Sequence, residues 1–145
     1  MLNQKFYKME KETSVKTIPI RSRIMAFRII TSILVIGMLA GGISTLIRIE
    51  YQVNLFNHLG YPLFLMSMIG VGKILAAIVL ILPGIPPLKI GAYVGTFIVS
   101  ICAFISHIVA NDSIFAIINP LTLTAIVLAA YFLNPYIKIV LTDRV

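Results

Sequence analysis

Charge is scarce in this chain. Of 145 residues only 12% are charged while 59% are apolar, and the mean hydropathy is +1.02. A soluble domain averages about 25% charged residues, because its surface must face water. The shortage excludes a globule clad in polar side chains and leaves lipid as the solvent for much of the surface. Cysteine occurs once, as Cys102 within an apolar stretch, so an intrachain disulfide is excluded and the redox compartment cannot be read from it. Its setting predicts a buried, inert thiol. Also missing are a Cys-His metal spacing, a Cys-x-x-Cys pair, a glycine-rich phosphate loop and a plausible catalytic triad. No metal site is expected, and catalysis by this chain alone is disfavoured. The polar first 24 residues, and an apolar run after them too long for a signal-peptide core, predict no cleavable leader.

What is there is apolar sequence in long blocks. At this length one domain is expected, and four segments each come close to the roughly 20 residues that span about 30 Å of hydrocarbon. They run from about 25 to 47, 61 to 82, 88 to 110 and 114 to 133. Pro83-Gly84-Ile85-Pro86-Pro87 makes a tight turn between the second and third. Asn111-Asp112-Ser113 separates the third from the fourth, and Asn134-Pro135 ends the fourth. Short links force antiparallel neighbours, so the expected fold is all-α, an antiparallel four-transmembrane-helix bundle over 25–138 behind a basic tail at 1–24. The connection from Arg48 to Gly60 is the longest loop, mixed in polarity, and suits a segment lying in the headgroup region or folding back over the bundle mouth.

Net charge is +7, with twelve basic residues against five acidic. The distribution does not fit a nucleic-acid module, and no nucleic-acid partner is expected. Lys5, Lys8, Lys11, Lys16, Arg21 and Arg23 all precede the first apolar segment, and Lys89, Lys138 and Arg144 fall on the same side of an up-down bundle. Only Arg48 falls on the other. This bias predicts both termini inside, N-in and C-in.

Helices in lipid associate through small residues rather than by the ordinary hydrophobic effect. The expected seams are Gly37, Ala40, Gly41 and Ser44 on the first helix, Gly70 and Ala77 on the second, Gly91 and Gly95 on the third, and Thr122, Ala125 and Ala129 on the fourth. Lys73 is different. A lysine near mid-helix costs about 2.5 to 3.5 kcal/mol on insertion scales and faces a bundle interior or wet cavity. Its depth is roughly 13 Å from the inner end at 1.5 Å per residue, beyond the reach of its own stem. On the third helix Thr96, Ser100, Ala103, His107 and Ala110 follow one helical stripe. Turned inward, that stripe places Thr96, Ser100 and His107 with Lys73 as ligand-binding residues of one polar cavity. Glu50, His58 and Asp112 fall at its outer mouth, and no carboxylate lies at the depth of Lys73, which leaves a neutral lysine or an exogenous anion as the alternatives to a buried ion pair.

The run Asn57-His58-Leu59-Gly60-Tyr61-Pro62, followed by Gly70-Val71-Gly72-Lys73-Ile74-Leu75, resembles the DoxX-like family of small bacterial membrane proteins. So do Pro83-Gly84-Ile85-Pro86, Ala92-Tyr93-Val94-Gly95, Ser106-His107, Asp112, Pro120-Leu121 and Asn134-Pro135, in that order. The chain departs from the pattern at Lys89-Ile90-Gly91, where relatives often carry an acidic residue and tryptophan. The resemblance implies a four-helix bundle in the bacterial cytoplasmic (inner) membrane and recurrent polar residues at Lys73 and His107. It also implies an accessory or small-ligand-binding role in a quinone-linked redox system, with quinone as the one candidate cofactor. The partners would be membrane lipid and a membrane redox protein or a second copy. The competing expectations are a small proton- or anion-coupled transporter and a purely structural interaction protein.

Overall fold

The computed structural model of the protein describes residues 20–135. Most of the expected basic tail, together with Lys138 and Arg144, lies outside the described residues. Five helices are described: α1 (Ile20–Leu46), α2 (Glu50–His58), α3 (Leu63–Ile81), α4 (Pro86–Val109) and α5 (Ile114–Leu133). There is no strand among the described residues, and four of the helices are long and apolar enough to cross a membrane. The all-α, four-span expectation holds.

Two boundaries differ from the sequence reading. Helix α1 starts at Ile20, inside the segment expected as tail, because Arg21 and Arg23 extend the helix past the hydrocarbon. Its 27 residues rise about 40 Å against a core of about 30 Å. The expected loop from Arg48 to Gly60 contains helix α2. Glu50 in its first turn and His58 in its last complement the helix dipole, and Phe56 is its buried anchor.

The helix ends are closed by identifiable chemistry. Arg48 (φ 51°), Gly60 (φ 73°) and Asn111 (φ 54°) each follow a helix in left-handed conformation. The paired bonds Ile49 N–H to Ser44 C=O, Tyr61 N–H to Phe56 C=O, and Asp112 N–H to His107 C=O mark Schellman ends at all three. At the opposite end, Arg23 donates to the Phe132 carbonyl at 2.9 Å and Lys89 to the Leu80 carbonyl at 3.3 Å. Each cation meets the negative end of a helix. Basic residues at this end therefore also cap the bundle.

Packing is uneven. Helix α1 lies chiefly against α3 and α4 against α5, while the α1–α5 and α3–α4 contacts that join the two pairs are thinner. The tight seam is Gly42 against Gly70. A Cβ built on Gly42 falls 3.0 Å from the Gly70 carbonyl oxygen, and one on Gly70 falls 3.0 Å from that of Gly42. Gly70 was an expected seam residue, whereas Gly42 was not singled out. Gly37, Gly91 and Gly95 were expected to be close contacts and are not: a Cβ on any of them meets nothing within 4 Å. Cys102 also departs from expectation, being exposed. It sits two residues from buried Ser100, about 200° around the helix.

Candidate functional site

The thin contact between α3 and α4 leaves a groove. Its volume is about 490 Å³, and its walls include Leu65, Met68, Gly72, Lys73 and Val79 of α3 and Leu88, Gly91, Gly95, Thr96 and Val99 of α4. Gly37 and Met38 of α1 and Leu123 of α5 form its back. The glycines make the space, since Gly72, Gly91 and Gly95 present no side chain where one would fit without contact. Met68, Leu75, Leu88 and Val99 are exposed at its margins, so the groove opens sideways, toward the surface that faces lipid.

Lys73 is the one charged residue lining this groove. It is the eleventh residue of α3, about 15 Å along the helix from the outer end. Its Nζ lies 3.7 Å from where a Cβ on Gly41 would stand, so it rests against the α1 backbone. The Gly41 carbonyl already accepts from Ser44 at 3.0 Å and Thr45 at 2.7 Å. Among the described residues the ammonium has no hydrogen-bond or ion-pair partner. The only carboxylates described, Glu50 and Asp112, are both at the outer end.

The polar stripe of α4 does not run as one path. Thr96 lines the groove, with its hydroxyl donated to the Ala92 carbonyl at 2.7 Å. Ser100, expected beside Lys73, turns to α5 instead. It donates to the Phe97 carbonyl at 2.9 Å and meets Thr124 Oγ1 at 2.9 Å. His107, expected in the same cavity, is bound into a separate outer cluster. Its Nδ1 is 2.7 Å from Asp112 Oδ2, and His58 Nε2 is 2.6 Å from Asp112 Oδ1. The stripe splits because one broad polar face of a helix is shared among different partners: Met38 of α1 for Thr96, Thr124 of α5 for Ser100, and Asp112 of the following loop for His107.

That outer cluster clamps α2 to the α4–α5 turn. Hydrogen bonds from His107, then from His58, hold the Asp112 carboxyl below its ordinary pKa of 3.8. His107 is 9% exposed and His58 54%, so one histidine is fixed in the bundle and the other held from the water side. The three do not make up a metal-holding group among the described residues. Tyr61 adds a second tie. Ser106 donates to the Cys102 carbonyl at 2.8 Å, so the Tyr61 hydroxyl donates to Ser106. The ring of Tyr61 packs on Phe56 with centroids 6.0 Å apart. The sequence pattern does not mark this bond; Ser106, directly before His107 on α4, is the one signal that points to it. Glu50 is exposed in the first turn of α2.

No curated protein and no solved structure matches the chain. The model of the DoxX-like family matches residues 29–130, from one third of the way along α1 to the last turn of α5 and across groove and clamp alike. With four helices able to span a bilayer and a family match over well over half its length, the chain is a multi-pass integral membrane protein belonging to the DoxX-like family.

Proposed function

We propose that the protein binds a ligand dissolved in the bilayer, held at Lys73 in the α3–α4 groove, and that it does so as an accessory subunit of a membrane redox system. The observation that carries this reading is the unpartnered ammonium of Lys73 in an otherwise apolar, lipid-facing groove of about 490 Å³. That volume lies within the range of about 300 to 1,000 Å³ usual for small-molecule sites, which pair apolar walls with a few polar groups. A mid-membrane cation is costly, and in a scaffold it would be spent on a helix carbonyl or a carboxylate. Here, among the described residues, the ammonium has neither kind of partner, and the described carboxylates, Glu50 and Asp112, lie outside the spans.

Of the occupants that the sequence suggests, protons or a small inorganic anion would need water along the groove, whereas an amphiphile from the bilayer, a quinone among them, would not. The accessory role draws on the family resemblance, which links relatives to quinone-coupled oxidation. The polar groups of the outer clamp are engaged with one another and shield the outer end without entering the groove.

Photo-crosslinking from within the groove tests this reading. A benzophenone amino acid at Val99, on the groove margin, should acquire an adduct of small-molecule mass in native membranes. Lys73→Met should remove that adduct while the protein still accumulates. Adducts to protein alone, or small adducts indifferent to Lys73, would refute it.

A further inference from the structure

The groove's polar inventory narrows the ligand further. We infer that Lys73 takes the carboxylate of a single-chain amphiphile, a fatty-acid-like molecule that enters sideways from the bilayer. The inference rests on the reading of the groove as a ligand site and adds the charge and shape of what occupies it.

Charge comes first. The groove holds one cation and no anion among the described residues. A neutral carbonyl can accept from the ammonium but leaves its charge unbalanced in hydrocarbon, whereas a carboxylate cancels it. The described spans of a second copy carry no Asp or Glu to supply the counter-charge.

Head size follows from the donors. Thr96, the other polar side chain facing the groove, has spent its proton on Ala92. Lys73 alone offers donors, with three N–H bonds on one nitrogen. Two carboxylate oxygens suit that supply. A phosphodiester with a polar substituent would leave further oxygens against apolar walls without partners.

Shape completes the argument. The α3 wall runs from Leu65 to Val79, about 21 Å at 1.5 Å per residue, with Lys73 between. Apart from Thr96, the walls on either side of Lys73 are aliphatic, thioether or glycine. Such a slot accommodates a chain lying along the membrane normal better than a broad ring system, and its exposed margins let the chain slip in from lipid.

Native mass spectrometry of the full-length chain in phosphatidylcholine nanodiscs tests the inference, with oleate, oleyl alcohol and a short-chain quinone as probes. Oleate should bind at one equivalent and at least tenfold more tightly than oleyl alcohol. Lys73→Met should reduce oleate to the level of the alcohol, and Lys73→Arg should keep most of the preference. Gly95→Phe, built into open space, should exclude both. Equal binding of oleate and alcohol overturns the carboxylate assignment. So does Lys73-dependent binding of the quinone without oleate, although the groove then stands as a ligand site. Failure of every probe, with wild type and Lys73→Met alike, overturns both. An occluded groove in a crosslinked dimer does the same.

Discussion

Replacing Gly70 by alanine inserts one methyl group into the closest helix contact of the bundle. The new carbon would stand 2.8 Å from Leu46 Cγ and 3.0 Å from the Gly42 carbonyl oxygen. The leucine can rotate, but the carbonyl belongs to the α1 backbone and moves only with the helix. Restoring an ordinary contact near 3.5 Å requires α1 and α3 to part by about half an ångström, which forfeits roughly a quarter of each dispersion well along the seam. Overpacking of this kind costs about 1 to 3 kcal/mol, offset by about 0.5 to 1 kcal/mol of helix propensity. The expected net loss is therefore up to about 2.5 kcal/mol, centred near 1 kcal/mol. Gly95→Ala is the matched control: it meets nothing within 4 Å, so only the propensity gain remains, about 0.5 to 1 kcal/mol in favour of the variant. Gly42→Ala should resemble Gly70→Ala, because its Cβ meets Ile74 Cγ1 at 2.9 Å and the Gly70 carbonyl oxygen at 3.0 Å. Combining the two should cost less than their sum, since one separation relieves both. Reversible unfolding in mixed micelles, titrated with a denaturing detergent, measures all four variants. Equal stability of Gly70→Ala and Gly95→Ala would refute the assignment of the seam.

Acid should loosen the outer clamp. The Asp112 carboxyl is held below its ordinary 3.8, so its contribution is fully present above that value and is lost as pH falls through the lower, folded one. A spin label at exposed Asn54 of α2, in a Cys102→Ser background, should gain mobility over that acid range; Asp112→Asn should already be mobile at neutral pH, and a label indifferent to both would contradict the clamp. Ser100→Ala should cost about 0.6 to 1.7 kcal/mol, the scale of an interhelical hydrogen bond in lipid, while leaving any bound amphiphile in place. Loss of ligand in that variant would return Ser100 to the groove. Reporter fusions after Arg23, between Glu50 and His58, and after Arg144 should read inside, outside and inside; an external N-terminal reporter would reverse the orientation.

The spans and their order were legible because hydrocarbon thickness imposes a length and an apolarity that side-chain detail does not alter. Lys73 stood out for the same reason, as a charge where charge is costly. The partners of each polar side chain were less legible. Thr96, Ser100 and His107 share one helical stripe, and no periodicity tells which neighbour each residue meets. Glycine carried the same ambiguity. Gly42 and Gly70 close a seam, while Gly72, Gly91 and Gly95 open a groove, and in sequence all five are small residues in apolar helices. The His58–Asp112–His107 cluster joins residues 54 positions apart at its widest. Its histidines and carboxylate were marked as outer-end groups, but their mutual bonding depends on α2 folding back across that end.

Lys73 as the binding group of a lipid-facing groove is the claim on which the functional account stands. Native mass spectrometry of wild-type protein and Lys73→Met, each released from its own cell membranes, addresses it with no choice of probe. The wild type should retain one small molecule per chain. Lys73→Met should lose it while remaining at least as stable, because removal of the mid-membrane amine also removes an insertion cost of about 2.5 to 3.5 kcal/mol. An identical bound mass in both proteins, or a variant that is destabilised yet still loaded, would contradict the account.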